Sequence, residues 1–148
     1  MCQTARQDDL TITNEERLFR RIHLSQIVKD EDTGQARVST GAFRDKELSI
    51  NMESVLLGEG ETADACLRHH QGHKLVCFTA GQARQLQQIV CPDPIPPDNL
   101  SHGLVCGSKS SRRVHEGLRD SARWVIPAQA PLYDDIAREK KLLGMPGQ

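Results

Sequence analysis

The chain has 148 residues, of which 37% are hydrophobic and 26% are charged, and its formal net charge is −1. This length suits one ordinary domain with a core of its own. The balance of 19 basic and 20 acidic residues does not indicate a nucleic-acid partner. Apolar runs fall short of the ~20 residues that a membrane span needs, and the first ten residues, MCQTARQDDL, lack the pattern of a secretory signal. We therefore expect a cytoplasmic protein without a membrane partner.

The sequence predicts a single α+β domain over residues 14–148, preceded by a flexible polar arm over residues 1–13. The first segment of the domain fits either a helix over residues 15–23 or a strand over residues 18–22, and both remain open. Apolar alternation and short apolar runs predict strands at residues 37–43, 48–52, 74–78, 89–91 and 104–106. Capping residues and helical periodicity predict helices at residues 63–70, 79–88, 110–125 and 133–143. We expect three to four short helices packed on a small mixed β-sheet.

Residues 91–113 carry the most informative pattern in the chain. Four prolines fix φ and remove backbone donors, which predicts a stiff extended connector; they are Pro92, Pro94, Pro96 and Pro97. A short strand follows, and hydroxyls and cations then collect where a helix begins. Because backbone amides at a helix start bind phosphate or carboxylate groups, we predict an anion site formed by Ser108, Lys109, Ser110, Arg112 and Arg113. The alternative is a hydroxyl-capped helix whose cations are solvated, which is the commoner arrangement.

That same segment lies close to the phosphate-binding loop pattern Gly-x-x-x-x-Gly-Lys-Ser. It starts at Gly103, but Ser108 occupies the place of the second glycine, where the backbone must curl around the phosphate. The intervening residues also form an apolar run that predicts a strand. The sequence therefore argues against a nucleotide hydrolase of that class.

A group of cysteine and histidine residues raises the question of a zinc site. The spacing of Cys66, His69, His73 and Cys77 resembles a set of four zinc ligands. Gly72 is expected to end the helix before His73, and Cys77 is expected inside a strand. No C-x-x-C pair exists, and the five cysteines (an odd number) fit free thiols in a reducing compartment. No cofactor is favoured, and a zinc-stabilised module stays the third alternative.

Another pattern concerns catalysis. Arg21 is followed by the pair Ser39 and Thr40, and then by Glu59 and Glu61. This order is similar to the Arg–Ser–Glu pattern of ADP-ribosyltransferases. The resemblance implies that the arginine and serine would help to hold NAD and that the last glutamate would orient the acceptor. About twenty residues separate the serine pair from the glutamates, which is short for that fold.

Several spaced fragments resemble a family of short, uncharacterised bacterial proteins. They run in the order Arg-x-His, Ser-Ser-x-Ala-Phe, Leu-Ser-Val and Asp-Pro-x-Pro followed by Asn-Pro-Ala-His. Thr40 stands here for the second serine, and Leu100-Ser101 stands for Pro-Ala. The resemblance implies a bacterial, cytosolic protein and transfers no activity. It also implies that six polar residues converge in space: Arg21, His23, Ser39, Thr40, Asn99 and His102.

The sequence favours a binding or interaction module that binds a partner protein or a small anionic ligand. No set of residues supplies a nucleophile, a base and an orienting group together. The second hypothesis is an enzyme acting on a phosphorylated or NAD-type substrate. Its site would comprise Arg21, His23, Ser39, Thr40, His102 and Lys109.

Overall fold

A computed structural model of the protein describes residues 6–145. Its strands are β1 (Arg17–His23), β2 (Ile27–Lys29), β3 (Ala36–Val38), β4 (Glu47–Met52), β5 (His73–Thr79), β6 (Ile89–Pro92), β7 (His102–Cys106) and β8 (Arg123–Ile126). Its helices are α1 (Glu53–Gly58), α2 (Ala80–Gln85), α3 (Arg112–Ser121) and α4 (Tyr133–Leu142). Six strands form one sheet in the order β6-β7-β4-β1-β5-β8, and β2 pairs with β3 in a second sheet.

The α+β fold class is confirmed. Every strand pairing is antiparallel, and the main sheet has six strands, so it is larger and more regular than the small mixed sheet that the sequence predicted. The segment that fitted either a helix or a strand is β1, next to the middle of the sheet, where it pairs with β4 and β5. Among residues 6–145, none of the helices combines the length and the apolar character that crossing a membrane requires.

The two faces of the main sheet bury different residues. Alternation along β1 sends Leu18 and Ile22 into the larger core, where they pack with apolar residues of α2, α3 and α4. Phe19 points to the opposite face and packs in a smaller cluster with Leu56, Cys66, Leu75 and Cys77. By the same alternation Arg21 belongs to this second face. The second face is covered only in part, and the candidate site lies there.

Two predicted helices differ from the structure. The helix predicted over residues 110–125 ends at Ser121, and β8 follows it. Trp124 pairs with Val76 and Ile126 pairs with Leu75, so pairing with β5 outweighs the helical periodicity of this stretch. The segment predicted as a helix over residues 63–70 forms only a 3₁₀ turn, Ala63–Leu67.

The region before β1 contacts the edge of the main sheet. The Asp9 amide donates to the Val90 carbonyl at 2.9 Å, and the Val90 amide donates to the Asp8 carboxylate at 2.8 Å. Arg84 also bonds the Asp8 carboxylate, and Ile12 is buried in the larger core. Residues 8–12, which the sequence assigned to a flexible arm, therefore lie against β6 and α2. Residues 1–5 of that arm lie outside the described residues.

Candidate ligand-binding site

A cavity of about 450 Å³ opens on the second face of the main sheet. Its floor contains Arg21 of β1 and Asn51 of β4. One wall is formed by α1 and the chain that follows it up to residue 70. The other wall is the end of the proline connector, residues 98–101. Its volume falls within the range of roughly 300–1,000 Å³ that is typical of small-molecule sites.

Arg21 is the cation on the floor of this cavity. It faces Leu75 of β5 in the sheet register and is half-buried. Its guanidinium makes no hydrogen bond or ion pair with any residue of the described range 6–145, and burial lowers the pKa of Arg21 below its ordinary value. An arginine nevertheless stays charged at neutral pH and offers five N–H donors. The floor therefore presents a partly desolvated cation whose donors are free.

The connector wall is fixed to the floor by Asn51. Its side-chain amide donates to the Asn99 side-chain oxygen at 2.6 Å and to the Ser101 hydroxyl at 2.7 Å. Asn51 and Ser101 are buried, so these bonds are shielded from water. They hold the end of the connector in one position. The side-chain oxygen of Asn51 and the side-chain NH₂ group of Asn99 have no hydrogen-bond partner within residues 6–145 and remain available to a ligand.

The opposite wall carries charged groups and imidazole rings. Arg68 pairs with Glu61 at 3.0 Å, whereas Glu59 makes no ion pair with another described residue. His70 also lines the cavity, and burial, together with the neighbouring Arg21 and histidines, lowers the pKa of His70. The lowered pKa favours the neutral form of His70, so Arg21 is the cation in this part of the cavity that lacks a partner among the described residues.

None of the described residues that line the cavity is an activated nucleophile. Cys66 lines it, but burial raises the pKa of the Cys66 thiol to about 11. A thiol attacks as its thiolate, so Cys66 is inert at neutral pH. The arrangement can bind and orient a polar ligand, and its charged groups can act on a bound substrate only as acids, bases or electrostatic partners.

The structure brings together some of the predicted residues and separates others. Arg21 and Asn99 line the cavity together, and so do Glu59 and Glu61 of the ADP-ribosyltransferase-like pattern. Ser39 and Thr40 do not line it. The Ser39 hydroxyl accepts from the amide of Gly41, and the Thr40 hydroxyl accepts from Arg44.

The two predicted histidines also lie outside this cavity. His23 sits near one end of the sheet, where its Nδ1 lies 2.7 Å from the Ser25 hydroxyl and its ring packs against His73. His102 is buried in β7, with its Nδ1 2.8 Å from the Asp93 carbonyl oxygen. The Asp93 carboxylate lies 3.2 Å from the same nitrogen, and these contacts tie β7 to the connector.

The start of α3 differs from the predicted anion site in the placement of its lysine. Lys109 is buried and donates to the carbonyls of Lys46, Val105 and Gly107 at 3.0, 2.8 and 3.1 Å. An ammonium has three donors, and all three are used. Burial also lowers the pKa of Lys109 to about 8. Lys109 therefore stabilises the fold and has no donor left for an external anion.

The other residues of that predicted site are on the surface. Arg112 pairs with Glu116 at 2.8 Å, and Arg113 bonds the side chain of Gln87 and a backbone carbonyl. Ser111 caps α3 by accepting from the amide of Val114 at 3.4 Å. An anion site at this helix start stays a prediction that rests on Ser108, Ser110, the two arginines and the backbone amides.

The residues of the predicted zinc set do not form a metal site. Cys66 and Cys77 both belong to the smaller core cluster, His69 lies in an exposed turn with a positive φ of 65°, and His73 begins β5. Within residues 6–145, no three His, Cys, Asp or Glu side chains are grouped so that they could hold a metal ion.

No protein-family model, curated protein or solved structure matches the chain. The resemblance to short bacterial proteins therefore stays a prediction, and the function has to be inferred from the cavity itself.

Proposed function

We propose that this protein binds a small anionic ligand in the cavity on the second face of its sheet, with Arg21 as the anchoring cation. The observation that carries the proposal is the half-buried Arg21 guanidinium without a partner among residues 6–145. Desolvating a charge costs free energy unless a partner compensates for it. A carboxylate or phosphate would supply that partner, because it accepts two parallel hydrogen bonds from a guanidinium.

The neighbouring arginines support this assignment by contrast. Arg20 precedes Arg21 in β1 but points to the larger core, where it donates to the carbonyls of Ala42 and Ser49 at 3.2 and 3.1 Å. Arg68, across the cavity, already pairs with Glu61. Each of these guanidinium groups has a protein partner, so Arg21 is the one whose chemistry requires something from outside the described chain.

The test uses isothermal titration of inorganic phosphate into the wild type, Arg21→Met and Arg37→Met. Arg37 is an exposed arginine of β3 without an ion pair in the described range, so its variant controls for the loss of one positive charge. We expect Arg21→Met to lose at least tenfold in affinity and Arg37→Met to bind like the wild type. Equal binding by Arg21→Met, with its circular dichroism unchanged, would refute the proposal.

A second candidate is an enzyme acting on a phosphorylated or NAD-type substrate. It is favoured by Arg21, Glu59 and Glu61 lining one cavity, in the order in which the ADP-ribosyltransferase-like pattern places them. The distance of Ser39 and Thr40 from that cavity weakens it. Release of nicotinamide from NAD by the wild type, and its loss in Glu61→Gln, would establish this activity. Binding without turnover would leave the protein as a binding module.

The cytoplasmic location expected from the sequence is part of the proposal. Cys66, Cys77, Cys91 and Cys106 are all free, which supports a reducing compartment.

A protein partner could contact the connector, where Ile95 and Leu100 are 49% and 41% exposed.

A further inference from the structure

The charges around the cavity limit how much negative charge its ligand can carry. Arg68 and Glu61 pair and offset each other's charge. Among the other charged groups that line the cavity, Arg21 is positive, and Glu59 and Asp98 are negative. Neither carboxylate has an ion-pair partner within residues 6–145. A diphosphate or another polyanion would place several negative charges next to these carboxylates, and like charges repel. The ligand therefore carries one anionic group, at Arg21, on a body that is otherwise neutral.

The same cavity is too large for that anionic group alone. Its volume of about 450 Å³ lies in the range of roughly 300–1,000 Å³ in which proteins enclose drug-sized molecules. The remaining space lies between the connector wall and the wall that carries Glu59. The neutral body of the ligand occupies this space.

The hydrogen-bonding groups of the two walls match hydroxyl groups. The side-chain oxygen of Asn51 and the carboxylates of Glu59 and Asp98 accept hydrogen bonds, and the side-chain NH₂ group of Asn99 donates them. A hydroxyl both donates and accepts, so it can bond to any of these groups. An apolar body would leave them desolvated and unpaired, which is unfavourable.

The lining lacks the surface on which a nucleobase would stack. Among the described residues it includes no Phe, Tyr or Trp, and its only rings are the imidazoles of His69 and His70. Aromatic side chains are the usual stacking partners of bases. A hydroxyl-rich body fits this lining better than a nucleoside does.

We infer that the ligand is a sugar phosphate with a single phosphate group, bound with its phosphate at Arg21 and its hydroxyls between Asn99 and Glu59. This inference rests on the proposed anion-binding function. It adds the chemical class of the ligand and assigns the two walls to the recognition of hydroxyl groups.

The experiment compares dissociation constants measured by isothermal titration for a small panel. The panel contains inorganic phosphate, glycerol 3-phosphate, ribose 5-phosphate, glucose 6-phosphate, free ribose and adenosine monophosphate. We expect at least one of the three polyol phosphates to bind tenfold or more tightly than inorganic phosphate, with free ribose not binding. We also expect adenosine monophosphate to gain nothing over ribose 5-phosphate.

Two variants test whether the two cavity walls cause the preference for polyol phosphates. Asn99→Ala and Glu59→Gln should each lower the ratio of polyol-phosphate affinity to inorganic-phosphate affinity at least fivefold. Glu59→Gln should also bind inorganic phosphate more tightly than the wild type, because it removes a carboxylate that repels the anion. Glu31→Gln, which changes an exposed carboxylate of a distant loop, is the matched control and should alter neither. A melting curve of each variant verifies that it is folded.

The outcomes separate the two proposals. If inorganic phosphate binds through Arg21 and no polyol phosphate binds more tightly, the inference is wrong and the anion site stands. Tighter binding of adenosine monophosphate than of ribose 5-phosphate would identify a nucleotide site and overturn the inference as well. If no member of the panel binds, both the inference and the proposed anion-binding function are wrong.

Discussion

Replacing Lys109 by methionine tests whether this buried lysine stabilises the fold. Methionine keeps most of the length and apolar volume of the side chain but removes the ammonium that bonds the carbonyls of Lys46, Val105 and Gly107. An unsatisfied buried acceptor costs about 1–3 kcal/mol. The Lys46 carbonyl keeps the Gly107 amide as a second donor at 3.0 Å, so it is not left unsatisfied. The ammonium's own desolvation cost is relieved in the variant, and we expect a net loss of about 3 kcal/mol.

Urea denaturation followed by circular dichroism measures this loss. With a urea dependence of about 1–3 kcal/mol per molar, Lys109→Met should unfold at a urea concentration lower by about 1–3 M. Lys46→Met is the control, because the Lys46 side chain is exposed, and its midpoint should change little. A Lys109→Met midpoint equal to that of the wild type would show that the three bonds contribute nothing. Phosphate binding at the cavity should be unaffected by either substitution.

Three further predictions concern local features of the fold. Thr79→Ala removes the capping box that joins Thr79 to Gln82 at the start of α2, and it should cost about 1 kcal/mol of unfolding free energy in the same urea assay. Gly103→Ala should lower the melting temperature by several degrees, because a Cβ there would lie 3.0 Å from the backbone oxygen of Cys91. A melting temperature within one degree of the wild type would contradict this prediction. Burial lowers the pKa of His73 in the native protein. Below pH ~6.5 the His73 imidazole is therefore protonated to a greater extent in the unfolded chain than in the native protein, which lowers the stability of the native protein. The wild type should therefore lose more stability than His73→Asn between pH 7 and pH 5, and parallel pH profiles would show that His73 does not contribute.

The elements that could be predicted from the sequence are those with strong local patterns. The strands predicted at residues 48–52, 74–78, 89–91 and 104–106 agree with β4, β5, β6 and β7 to within two residues at each end. The Thr79 capping box is confirmed, because it depends only on residues three apart. β8 could not be predicted, since its apolar residues also continue the helical spacing of α3, and only pairing with β5 selects the strand.

The candidate site was predictable in part. Arg21 and Asn99 line the same cavity, whereas Ser39 and Thr40 lie elsewhere. Asn51 was missed, because a polar residue in an alternating strand is typical of a solvent-exposed face. Only the pairing of β4 with both β1 and β7 places it on the floor of a cavity. The burial of Lys109 likewise depends on a carbonyl 63 residues away, which no local pattern reveals.

The contacts of Asp8 and Asp9 with Val90 have a consequence for the outer edge of the main sheet. β6 is an outer strand of the main sheet, and an outer strand with unpaired amides and carbonyls can recruit a strand from another molecule. Here the Val90 amide and carbonyl are both occupied, by the carboxylate of Asp8 and the amide of Asp9. The short segment before β1 thus covers one edge of the sheet, and its removal would expose that edge to intermolecular strand pairing and aggregation.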